Sequence, residues 1–83
     1  MLNKTNQDLI TDICSICVRI NTSTRHAAFF EYSGHVETVQ VHISKNKHLY
    51  NQWILERRIY WLNQTQMTEE LQALKKTVQR FLP

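Results

Sequence analysis

At 83 residues the chain is the size of one small domain, which buries only about 60 to 65 per cent of its unfolded surface and leaves little room for a deep catalytic cleft. Hydrophobic residues at 42% against 20% charged, with a single glycine and a single proline, exclude a collagen-like or disordered chain. Ten basic residues against seven acidic ones leave a net charge of +3, a mild excess that admits an acidic partner and is also what solubility asks of a surface.

No stretch approaches the roughly 18 apolar residues of a membrane span. Lys4, Asp8 and Asp12 interrupt the region where a signal peptide needs an unbroken apolar run, so a cytoplasmic protein without membrane contact is expected. Two cysteines are too few for a secreted disulfide scaffold, and a reducing compartment keeps both as thiols. Residues 1–83 read as one domain, with no internal repeat, low-complexity tract or linker.

The segment "TNQDLITDICSICVRI" places Leu9, Ile13, Ile16 and Ile20 at helical spacing with Ile10, Cys14 and Cys17 beside them, which predicts a first helix. Thr5 and Asp8 have the spacing of a capping box, in which hydroxyl and carboxylate satisfy free amides at the helix start. "NTSTR" breaks the period, because hydroxyl and amide side chains compete with backbone helix bonds.

"HAAFFEYSGHVETVQVHIS" contains the only glycine, Gly34, and reads as a hairpin. A two-residue turn at Ser33-Gly34 pairs Tyr32 with His35, Phe30 with Glu37, Ala28 with Val39 and His26 with Val41. Val39, Val41 and Ile43 then join Ala28, Phe30 and Tyr32 on the core side, while Thr38, Gln40 and His42 share the other side with Phe29 and Ala27. A one-residue slip would put the valines and Ile43 in water, so the facing is well specified. After the polar connector "KNKHLYNQ", the aromatic and β-branched content of "WILERRIYWL" favours a third strand over residues 53–62. Leu55, Ile59 and Trp61 then point inward, with Arg57 on the same side as the cost of that reading. "MTEELQALKKTVQRFLP" predicts a second helix: Leu71, Leu74, Val78 and Phe81 or Leu82 recur at helical spacing, Glu69 and Glu70 stand at the end that favours negative charge, and Lys75, Lys76 and Arg80 come later.

Reactive chemistry has few candidates. "CSIC" resembles a redox or zinc pair, but a redox pair starts at a helix N-terminus and a zinc pair sits in a turn with further ligands elsewhere. Cys14 and Cys17 fall inside the apolar stripe and read as buried small hydrophobes. Of the four histidines, His35 and His42 face opposite sides of their strand, His26 shares the core side and His48 lies in the connector, so no metal set converges. The acidic residues are scattered, and one glycine cannot build a phosphate loop. An enzyme is not expected, nor a cofactor, a metal or a small-molecule substrate.

The order helix, three strands, helix is similar in topology to double-stranded RNA-binding domains. Those domains dock phosphates at a lysine cluster that opens their second helix, whereas here that position reads "TEEL", with Lys75 and Lys76 a turn or more later. The stretch "TRHAAFFEYSGHVETVQVHIS", about a quarter of the chain, looks like segments of small uncharacterised proteins encoded in prophage regions of Gram-negative bacteria. That resemblance implies an accessory product of a phage gene cluster and brings no activity with it.

The expected architecture is therefore α+β: a three-stranded antiparallel meander with N- and C-terminal helices packed on one face, in the order α-β-β-β-α. Two helices cover one face of such a sheet, leaving Phe29, Val36, Thr38, Gln40, His42, Ile54, Arg58, Tyr60 and Leu62 on the other. The expected function is non-enzymatic binding of another protein, or self-association, through that face. Phe29, Arg58 and Tyr60 are its anchors, Gln40 and His42 supply polar contacts, and Val36 is a further member of the binding face. The alternative is nucleic-acid binding through Lys45, Lys47, Arg57, Arg58, Lys75 and Lys76.

Overall fold

The computed structural model describes residues 2–35, 37–48, 52–60 and 63–83. It contains a helix α1 (Lys4–Ser23), strands β1 (Ala27–Ser33), β2 (Thr38–Ser44) and β3 (Trp53–Ile59), and a helix α2 (Gln64–Gln79). The strands form one antiparallel sheet in the order β1-β2-β3, and both helices lie on the same side of it. This is the expected α+β arrangement.

Both helices open on an asparagine. The side-chain oxygen of Asn3 accepts from the amide of Asn6 at 2.9 Å, and that of Asn63 accepts from the amide of Gln66 at 2.9 Å, each satisfying an orphan donor of a first turn. The expected Thr5–Asp8 capping box is not formed, because Asn3 starts the helix earlier and leaves Thr5 inside it. Asp8 instead meets Lys4 at 3.1 Å in an exposed i,i+4 pair, worth only a few tenths of a kcal/mol. Likewise α2 begins three residues before Met67, so Glu69 and Glu70 lie beyond its first turn.

The core is one layer between helices and sheet. Leu9, Ile10, Ile13, Ile16, Cys17 and Ile20 of α1 meet Met67, Leu71, Leu74 and Val78 of α2, and both sets cover Ala28, Val39, Val41, Ile43 and Ile59. Leu55, Phe81 and Leu82 pack partly buried against this layer. Cys14 departs from expectation and is exposed, since it lies one helical step past Ile10, on the margin of the stripe.

The hairpin register differs from the expected one, although the facing does not. Tyr32 pairs with Val39, Phe30 with Val41 and Ala28 with Ile43, so each partner sits further along β2 than a two-residue turn would allow. For Tyr32 the displacement is from His35 to Val39, four positions. β1 ends at Ser33 and β2 begins only at Thr38, and it is Glu37, at φ 49°, that takes the left-handed conformation, while Gly34 has no positive φ. A displacement by an even number leaves every side chain on its side of the sheet, so Val39, Val41 and Ile43 are fully buried as foreseen.

Polar side chains fasten the layers. "NTSTR" does not end the helix at Ile20: α1 continues through Ser23, and Asn21 reaches from its last turn to the free edge of β1. There its amide nitrogen donates to the carbonyl of Ala28 at 2.8 Å and its oxygen accepts from the Ala28 amide at 2.8 Å. Asn21 thus takes the place of a neighbouring strand at one residue. His26 lies before β1 with Nδ1 at 2.9 Å from the carbonyl of Lys45 and 3.3 Å from that of Ser44. A ring nitrogen between two acceptors must carry the proton. The ring also meets Phe81 edge-on at 5.5 Å. Lys47 donates to the carbonyl of Thr24 at 2.8 Å.

Among the described residues, Asn6 is the one fully buried side chain that ties the helices together by hydrogen bonds. It donates to Oε1 of Gln64 at 3.0 Å and accepts from the hydroxyl of Thr68 at 2.6 Å. Replacing it leaves buried partners unmatched, which costs about 1–3 kcal/mol. Asn6→Ala is expected to lower the unfolding free energy by that amount, read as a lower urea midpoint at unchanged m-value. Asn6→Asp should do no better despite its equal size, because it sets a second acceptor against Gln64.

Candidate functional site

Period-two alternation fixes what the sheet turns away from the helices. With Ala28, Phe30, Val39, Val41, Leu55 and Ile59 toward the core, the residues between them face outward. Strand pairing arranges them in rows: Phe29 beside His42 beside Glu56, and Glu31 beside Gln40 beside Arg58.

Trp53 joins them by an irregularity. Ile43 pairs with Leu55, yet Ser44 pairs with Trp53, so β3 carries an extra residue at this point. A bulge of this kind re-aims a side chain, and here it brings the Trp53 indole onto the open face. The ring stacks on His42 at 4.7 Å and meets Phe29 edge-on at 5.5 Å. Strict alternation from Leu55 and Ile59 would turn Trp53 inward with the other odd positions, and only the bulge, invisible to a periodicity argument, reverses it.

The second half of the face is organised by Arg58. Its Nη2 donates to Oε1 of Gln40 at 2.7 Å and its Nε to the same oxygen at 3.1 Å, while Nη1 donates to the Tyr60 hydroxyl at 3.4 Å. The guanidinium carbon lies 6.0 Å from the Tyr60 ring centre, within cation–π range. The Tyr60 hydrogen bond, with Glu31 and Glu56 further off, raises the guanidinium above its ordinary pKa, so the charge is permanent. Gln40 also closes on His42, Nε2 to Nε2 at 3.0 Å, and His42 lies 3.6 Å from Oε1 of Glu56.

Phe29, Trp53, His42, Gln40, Arg58 and Tyr60 therefore form one connected strip. Large parts of its rings stand in solvent: Phe29 is 45%, Trp53 40% and Tyr60 60% exposed. At the Trp53 end, Ala27 and Ser44 are buried on the same side. Of the residues expected on this face, Phe29, Gln40, His42, Arg58 and Tyr60 are brought together. Ile54 is 47% exposed beside them, while Val36 and Leu62, like the inward-assigned Trp61, lie outside the described residues. Glu31, Trp53 and Glu56 are the members that sequence reasoning missed.

The basic residues of the nucleic-acid alternative are dispersed. Arg57 and Arg58, adjacent in β3, point to opposite sides, and Arg57 is exposed on the helix side whereas Ile59 is buried there. Lys75 is engaged with Asp12 of α1 at 2.9 Å, beside Lys76 on α2, behind the sheet. Lys47 is spent on backbone carbonyls, with Lys45 two residues before it. The open face itself carries Glu31 and Glu56 against Arg58, which makes it no attractor of phosphate.

A surface hollow of about 440 Å³ lies between the start of α1 and the hairpin end, lined by Leu2, Gln7, Ile10, Thr11, Tyr32 and Glu37. Among the described residues no three His, Cys, Asp or Glu side chains group in a way that would hold a metal ion, and no helix is long and apolar enough to cross a membrane. Compared with known proteins, the chain matches no family model, no curated protein and no solved structure.

The two cysteines differ sharply. Burial, and then the neighbouring Cys14, push the Cys17 thiol from 9.0 up to about 11, so only about a thousandth of it is thiolate at pH 8. Titration of the native protein with a chromogenic disulfide at pH 8 is expected to count one thiol at once, Cys14, and a second only after denaturant is added.

Proposed function

We propose that this chain is a non-enzymatic binding module whose open sheet face docks a partner protein. The observation that carries the reading is the strip just described: aromatic and arginine side chains that are exposed yet held in place by one another. Such residues concentrate binding energy in protein interfaces, and rings already fixed by edge-on and stacked contacts lose little freedom on docking. Phe29, Trp53 and Tyr60 supply apolar area, Arg58 a fixed charge with a donor fork, and Gln40, His42, Glu31 and Glu56 the polar surround.

An accessory role of this kind is also what the expected resemblance of residues 24–44 to phage-encoded proteins would imply. The near balance of charge on the face favours a protein over a nucleic acid. An aromatic strip on a small sheet, with a hollow of about 370 Å³ over Phe29, Glu31, Gln40 and His42 that can seat a partner's side chain, suits recognition better than catalysis.

The test is capture from host lysate by immobilised protein, with and without nuclease, comparing wild type with Phe29→Asp plus Tyr60→Asp. A partner retained by wild type after nuclease and at moderate salt, and bound roughly 100-fold more weakly by the double variant, supports the reading. Circular dichroism should show the variant folded, since neither residue belongs to the core. Equal capture by both proteins would refute it, and capture abolished by nuclease would transfer the role to nucleic acid.

A further inference from the structure

The sheet has two edges, and they are treated differently. On β1, Asn21 occupies the outward amide and carbonyl of Ala28. Because these groups point away from β2, alternation in an antiparallel ladder directs those of Ile43, Val41 and Val39 toward β3. Their partners Leu55, Arg57 and Ile59 therefore spend their backbone groups on β2. The amides and carbonyls of Glu56 and Arg58 point outward from β3. Among the described residues nothing pairs with them.

An open edge of this kind is a template for another strand, and the side chains along this one are self-complementary. We propose that two copies of the chain pair antiparallel along β3, about a two-fold axis through Arg57 and perpendicular to the sheet. In that register Glu56 of each copy lies opposite Arg58 of the other on the open face, twice. The outward backbone groups of the same residues then face one another as hydrogen-bonded pairs. Ile54 comes against Tyr60 of the second copy, covering two apolar side chains that are 47% and 60% exposed in the single chain.

The two adjacent registers that keep both open faces on one side are worse. An axis through Glu56 sets that carboxylate against its own copy, and an axis through Arg58 sets guanidinium against guanidinium; like charges directly opposite are destabilising. The axis through Arg57 has one such contact, Arg57 with itself. It lies on the helix side, where the residue is exposed and its long side chain can turn into water.

The proposal concerns the edge of the sheet and stands whether or not its open face binds a partner protein. An interface of one strand pair is small, so the dimer is of the weak, concentration-dependent kind.

Sedimentation equilibrium of the full chain from about 10 μM to 1 mM is expected to show the mass rising from 9.9 kDa toward twice that value, at a fixed interface-scale affinity. Arg58→Glu and Glu56→Arg each place like charges opposite one another twice, and each should weaken dimerisation about ten-fold or more. The combined exchange, Glu56→Arg with Arg58→Glu, restores the opposite pairing and should recover the dimer. In the wild type, the amides of Glu56 and Arg58 should gain protection from hydrogen exchange as concentration passes through the dimer midpoint. A chain that stays at 9.9 kDa throughout, single variants that dimerise as well as wild type, an exchange variant that does not recover, or amides unprotected at every concentration would each overturn the proposal. The exchange measurement needs no variant, so it decides even where a substitution unfolds the chain.

Discussion

The structure rests on one asymmetry: a sheet of three strands is covered by helices on one side only. Val39, Val41, Ile43 and Ile59 carry the core on that side and are at most 1% exposed. Each lies between neighbours in β2 or β3 that must then face the other way, because successive side chains of a strand point to opposite faces. The composition of the open face is thus a direct consequence of where the core is. Burying four aliphatic side chains of this kind is worth about 1.5–3 kcal/mol each, so no rearrangement that exposes them to hide Phe29 and Trp53 is affordable.

A thin core leaves the connections to be held by polar groups, and the buried ones are all satisfied: among the described residues no buried side-chain nitrogen or oxygen lacks a partner. Asn6 joins the two helices at their N-terminal ends, Asn21 joins α1 to the outer strand, and His26 with Lys47 joins the α1–β1 link to the loop after β2. These contacts are directional, whereas the apolar layer is not. They select how the helices sit on the sheet, and they keep the Asn21 side of β1 from serving as a free edge.

Sequence reading recovered what depends on parity and missed what depends on a single residue. The facing of β1 and β2 survived a wrong turn because the error was even. A two-residue turn at Gly34 was the natural inference from a lone glycine, yet Glu37 accepts the left-handed backbone and the loop is longer. The third strand could be placed, and Phe29, Gln40, His42, Arg58 and Tyr60 assigned together, from alternation alone. Trp53 could not, since a bulge breaks the alternation at that residue. Glu31 and Glu56 were on the right parity, but attention to aromatic and basic anchors passed over the carboxylates. Asn21 looked like a helix breaker because amide side chains compete for backbone groups; here it competes successfully, for the backbone of the adjacent strand instead of its own helix. Asn3 as cap and the exposure of Cys14 turn on one helical step, finer than periodicity resolves.

The face and the edge are coupled by the same ladder. Arg58 belongs to both: its side chain closes the strip through Gln40 and Tyr60, while its backbone groups point out of the sheet. Two chains joined at β3 with their helices on one side would bring two strips into a single surface, each row of three side chains continuing into its counterpart across the axis. Glu31, Gln40 and Arg58 of one chain would run into Glu56, His42 and Phe29 of the other, alternating in charge at the junction. A partner recognising one strip would then meet two, related by a two-fold axis. Bivalent docking on a weak dimer strengthens both contacts at once, since the partner holds the two chains at high effective concentration. A small domain with one thin core can in this way present a broad recognition surface without enlarging its own fold.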